Sequence, residues 1–83
     1  LQVFFRRHGT ELPVTEQGAD YQPGAIVSWL LPGNLPHIGI VSNQLVPGTD
    51  RPMIVHNIGA GPKLEDMLFA YPITGHYHFA PAQ

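Results

Sequence analysis

No cysteine occurs among the 83 residues, so neither a disulfide nor a thiolate metal site can brace the fold, and no thiol is present to act as a nucleophile. Charge is scarce as well. Only 12% of residues are charged, with four Lys and Arg against six Asp and Glu. Arg6 and Arg7 are adjacent, but Arg51 and Lys63 are isolated, so no basic stripe exists to follow a phosphate backbone and nucleic acid is not an expected partner. No apolar run approaches the roughly 20 residues that span a bilayer, and no membrane span is expected in this chain. The opening LQVFFRRHG carries its charges after its apolar residues, the reverse of a secretory signal peptide.

What is present favours a folded chain. Hydrophobic residues make up 43% of the sequence, which argues against intrinsic disorder. The length allows one domain, residues 1–83, and a chain this short buries a smaller share of its surface than a larger domain. Leu1, Phe4, Phe5 and His8 fall near 3.6-residue spacing with Gly9 placed as a helix stop, predicting the last turns of a helix. Such an amphipathic stub needs a covering surface. The chain is therefore expected to be the C-terminal part of a larger domain, with a missing N-terminal segment or a second chain packing on Leu1, Phe4 and Phe5.

Beyond Gly9, TELPVTEQGADYQPG reads as a loop punctuated by Pro13, Gly18, Pro23 and Gly24. AIVSWLL (25–31) is apolar on both faces and predicts a central, covered strand. The turn PGNLP leads to HIGIVSN (37–43), in which Ile38 and Ile40 point one way while His37, Gly39 and Val41 point the other. MIVHNI (53–58) is a third strand and ITGHYHF (73–79) a fourth, the latter with His76 and His78 on one face and Tyr77 and Phe79 on the other. Connections this short predict antiparallel pairing. Between the third and fourth strands, GAGPKLEDMLFAYP reads as a turn and an apolar stretch without a clear period, and Glu65 and Asp66 read as solvated loop acids.

Four of the five histidines lie on or at the ends of predicted strands, and histidine is the side chain that titrates near neutral pH without special help. His37 and His56 are the informative pair. On adjacent antiparallel strands and one face, their ring nitrogens are expected within hydrogen-bond reach or one water apart. A cysteine-protease-type site needs a thiol, a base that deprotonates it and a polar group that orients the base. His37 suits the base and His56 the orienter, while Gly39 would keep room for substrate beside them. The nucleophile is missing, since Ser28 and Ser42 stand in no nucleophile motif.

Two other readings of the same residues stay open. A strand histidine is more often a packed, satisfied residue than a chemical one. Alternatively, the H-x-H of His76 and His78, joined by His37 or His56, would make a three-histidine zinc shell. No acidic residue sits beside these histidines in sequence, so no metal ligands and no cofactor are assigned. His76 and His78 are expected on a solvated strand face, and His8 reads as a favourable partner of a helix C-terminus.

The strings QPGAIVSW, LPHIGIVSN, VHNIGAG and EDMLFAYPITGHYHF resemble the C-terminal part of the domain-of-unknown-function 1287 family of bacterial envelope proteins. That family in turn resembles, distantly, the NlpC-type cell-wall peptidases, whose strands carry G-D-[LI]-V, H-[VI]-G-I-Y and [IV]-H-A. The matching positions here are Gly24 to Val27, His37 to Val41 and Val55 to Asn57, with Ala25 where the pattern has Asp. The resemblance implies an α+β fold, the β-rich half of a papain-like domain with a short antiparallel sheet and an N-terminal helix remnant. It makes His37 the counterpart of the general base and His56 that of the third polar residue. It implies a cysteine peptidase or amidase of the cell envelope or periplasm, acting on peptidoglycan stem peptides, whose nucleophilic cysteine lies upstream of Leu1. A non-catalytic module that binds cell-wall peptide or protein, and a histidine-ligated metal hydrolase, are the alternatives.

Overall fold

In a computed structural model, residues 10–57 and 61–78 of the chain are described. They form one six-stranded antiparallel sheet. Its strands are β1 (Thr10–Glu11), β2 (Ile26–Leu31), β3 (Leu35–Leu45), β4 (Pro52–Asn57), β5 (Pro62–Glu65) and β6 (Ile73–His78). Their spatial order is β1-β6-β2-β3-β4-β5.

The centre of the sheet is the β2–β3 hairpin, whose register runs from Ile26 opposite Ile40 to Leu31 opposite Leu35. Its turn places Gly33 and Asn34 at φ of 86° and 59°. The left-handed backbone at both positions suits the strand twist, and glycine and asparagine adopt it at least cost. β4 alternates strictly: Pro52, Ile54 and His56 point inward and are buried, while Met53, Val55 and Asn57 point outward. β5 forms an edge opened by Pro62, a position where the missing N–H costs no ladder bond in the sheet interior.

One face of the sheet holds the core. Val27, Trp29, Val41 and Ile54 project from the strands, and Tyr21, Ala25, Met67 and Leu68 close over them from two loops. Trp29, fully buried, donates its indole N–H to the Leu68 carbonyl at 2.9 Å, so that the loop 66–72 is held down over the sheet. Burying a side chain of this size contributes about 1.5–3 kcal/mol. The other face is more open. Ile40 of β3 and Val55 of β4 are 49% and 39% exposed there, whereas Ser28 of β2 and Tyr77 of β6 are 6% and 1% exposed, so this face is open over β3 and β4 and covered where β2 meets β6.

This corrects the α+β, papain-like expectation. Among the described residues the only helical element is a three-residue 3-10 turn, Gly18–Asp20, and the core and candidate site are built from the sheet and the two loops over it. The covering segments stay irregular because Pro13, Gly18, Pro23 and Gly24 interrupt one and Pro72 ends the other. Two strands were also missing from the sequence reading. β1 lies within the expected loop, and β5 lies within GAGPKLEDMLFAYP. The N-terminal helix remnant and the surface expected to cover Leu1, Phe4 and Phe5 lie outside the described residues. No helix among the described residues is long and apolar enough to cross a membrane.

Candidate functional site

β2, β3 and β4 are adjacent in the sheet, and the pleat sets His37 and His56 on the core-bearing face. His37 pairs across β2 with Trp29, and Gly39, two residues on, pairs with His56. The two histidines are therefore diagonal neighbours, a separation that long or aromatic side chains bridge. Their rings meet edge to face with centroids 5.1 Å apart. His37 Nε2 and His56 Nδ1 lie 2.9 Å apart, in hydrogen-bond contact.

A second diagonal brings in a residue that sequence reasoning had assigned to solvent. Lys63 on β5 faces His56, and Glu65 faces Ile54, so Glu65 reaches His56 from the other strand. Its Oε1 is 2.9 Å from His56 Nε2. Both nitrogens of the almost fully buried His56 are thus engaged, one by an imidazole and one by a carboxylate. The next residue, Asp66, is gripped by Arg51 through paired bonds of 2.7 and 2.9 Å, which tie the end of β5 to the start of β4. A guanidinium fork on a carboxylate fixes orientation as well as distance. It also pulls Asp66 below the ordinary carboxylate range, chiefly through the Arg51 hydrogen bond. The signal that could have exposed Glu65 was the alternation of P-K-L-E, but it needed the β4 register to become informative.

The three residues line a cleft of about 230 Å³ together with Leu31, Asp66, Met67, Ala70 and Tyr71. A larger cavity of about 570 Å³, bounded by Val14, Phe69, Tyr71 and Ile73, contains no histidine. The smaller cleft is the better candidate because it brings His37, His56 and Glu65 together at one concave surface. His37, only partly buried at its edge, is held below the usual imidazole value of 6.5, first by desolvation and then by the adjacent His56. It is therefore biased toward the neutral form, as a proton acceptor requires.

Other assignments change. Gly39 leaves no room for substrate: a Cβ there would lie 2.6 Å from Ile54 Cγ2 and 3.1 Å from Trp29 Cζ3, so the space belongs to the core. His76 is not on a solvated face. It is 1% exposed, stacks on Tyr21 with centroids 4.2 Å apart, and bonds through Nδ1 to the Pro13 carbonyl at 2.9 Å. His78 is exposed. No group of three or more His, Cys, Asp or Glu among the described residues is arranged to hold a metal ion.

The chain matches the family described as "Domain of unknown function (DUF1287)" over residues 1–79. It is similar to the uncharacterised protein YijF of Escherichia coli (strain K12), with 45% identity over 80 residues. That alignment covers 95% of the chain and 38% of the relative, so the chain spans well under half of the curated protein it matches. No solved structure matches.

Proposed function

The chain belongs to the DUF1287 family, and we propose that it carries the proton-transfer part of a cell-envelope cysteine peptidase or amidase acting on peptidoglycan stem peptides. The observation that supports this most is the 2.9 Å bond between His37 and His56 at the edge of a cleft, on strands whose sequences resemble the base and orienter strands of NlpC-type cell-wall peptidases. The nucleophilic cysteine is assigned to the part of the longer protein that this chain does not include, in keeping with a relative of which the chain covers 38%.

In this reading His37 takes the proton of the cysteine thiol, and the thiolate attacks the carbonyl carbon of an amide. His37 then returns the proton to the departing amine nitrogen as the C–N bond breaks, leaving an acyl-thioester. Water deprotonated by His37 attacks the thioester carbon, releasing the carboxylate product and restoring the thiol. His56 holds the His37 ring in place throughout. Such a positioned base typically contributes a factor of ~10² to 10⁴ in rate.

The test is to incubate the full-length protein with purified peptidoglycan and measure release of soluble peptides, before and after thiol alkylation. Release that alkylation abolishes supports the proposal. A folded protein that binds the sacculus and releases nothing would replace it with the second reading, a binding module using the same cleft.

A further inference from the structure

Glu65 makes one contact that neither the core nor the ladder requires, and that contact decides where protons sit. Its carboxylate, when ionised, can only accept hydrogen bonds. The nitrogen it meets, His56 Nε2 at 2.9 Å, must therefore carry the hydrogen. In a neutral imidazole the other nitrogen is then a bare acceptor. His56 Nδ1 is the atom that faces His37 Nε2, also at 2.9 Å. Hence the hydrogen of that second bond comes from His37 Nε2, and the lone pair of neutral His37 is left on Nδ1. Among the described residues His37 Nδ1 has no hydrogen-bond partner, whereas Nε2 is occupied.

Reversing the first bond reverses the whole series. If His56 carried its hydrogen on Nδ1, it would donate to His37 Nε2, and His37 would present an N–H at Nδ1, useless for taking a proton. The two arrangements have the same heavy-atom positions and differ only in direction. With imidazoles alone nothing selects between them; an acceptor-only group at one end does.

We infer that Glu65 is a positioning residue: it sets the tautomers of His56 and His37 in sequence, so that the basic lone pair is delivered at His37 Nδ1. The inference deepens the hydrolase reading and rests on it for the use of that lone pair, but the tautomers themselves can be read without any activity. The local build fits the role. The Arg51–Asp66 clamp fixes the backbone immediately after Glu65, and the Glu65 carboxylate is 47% exposed at the edge of the cleft. A structural role as an exposed edge residue would need neither the orientation nor the distance.

The experiment is long-range ¹H–¹⁵N correlation of the histidine rings in the full-length protein near pH 7.5, with assignments from His37→Gln and His56→Gln. The wild type should show protonated Nε2 and bare Nδ1 on both rings. Glu65→Leu, of similar size with no acceptor, should give mixed tautomers on both. Glu65→Gln, which keeps a carbonyl oxygen, should restore most of the wild-type pattern. In peptide release, Glu65→Leu should lower kcat by roughly tenfold to a hundredfold, the range known for groups that orient a functional histidine, with KM little changed. Ring signals in Glu65→Leu identical to wild type, or a wild-type His37 protonated at Nδ1, would overturn the inference. If the tautomers behave as stated while no peptide is released by any form, the assignment of Glu65 stands and the hydrolase reading falls.

Discussion

His56 and His76 occupy one transverse row of the sheet, on the same face, with Val27 and Gly39 between them. Three strand spacings, about 14 Å, separate them. Both are almost wholly buried. The difference lies in what their nitrogens meet. His76 bonds to the Pro13 carbonyl, which never titrates, stacks on Tyr21, and leaves Nε2 without a hydrogen-bond partner. His56 bonds to Glu65 and to His37, two ionisable side chains, and all three line an open cleft. Burial alone does not tell a structural histidine from a chemical one; the identity of the partners does.

The comparison is broken most forcefully by truncation at the two ends of the row. His76→Ala should empty a packed site under Tyr21 and cost about 2–4 kcal/mol of stability, in the range of other large-to-small core changes. The peptide-release rate per folded molecule should stay near wild type. His56→Ala should do the opposite, with a clear loss of rate and a smaller loss of stability, since its ring sits at the cleft rather than under a stacked aromatic. Chemical denaturation of the two variants, with activity normalised to the folded fraction, checks both halves.

Between the two histidines, Gly39→Ala sharpens the picture at lower cost. The new methyl would press on Ile54 and Trp29. Overpacking of this kind costs about 1–3 kcal/mol. Because the strain falls beside His56 and two residues from His37, the His37–His56 bond should lengthen, seen as a change in the His37 ring signals. A neutral effect on both stability and ring signals would mean that the row is more loosely packed than the structure shows.

Much of this was legible in the sequence, and the reasons for the rest are specific. The β-branched and aromatic runs AIVSW, HIGIV and MIVH marked β2, β3 and β4, and the period of two put His37 and Gly39 on one face. Register was not legible, and Glu65 depends on it: a short polar edge strand has no apolar pattern of its own, and only pairing with β4 turns P-K-L-E into a carboxylate beside His56. His76 was misplaced for a related reason. Its strand alternates correctly, but the segment that covers it, with Pro13 and Tyr21, comes from an irregular loop more than fifty residues away in sequence. Gly39 looked like space for a ligand because a glycine beside a histidine says nothing about which side chain fills the gap.

A smaller effect concerns pH. His37 is held below 6.5 by desolvation and by His56, so the folded state binds fewer protons than the unfolded state between 6.5 and the lower folded value. Stability therefore rises with pH across that window, and the His37 contribution is lost as pH falls through it. His37→Gln should flatten this part of the stability curve slightly. An NMR titration of His37 should give a midpoint below 6.5, and the acid limb of peptide release should follow it. A His37 midpoint above 6.5 would contradict the environment described.

The central claim is that His37 acts on protons while His76 holds the fold, and one paired rate measurement tests it most directly. Full-length His37→Ala and His76→Ala are compared with wild type for peptide release from purified peptidoglycan at pH 7, each scaled to its folded fraction. The account predicts a fall of ~10² to 10⁴ for His37→Ala and a rate within a few-fold of wild type for His76→Ala. Wild-type release from His37→Ala, or equal losses from both variants, would contradict it.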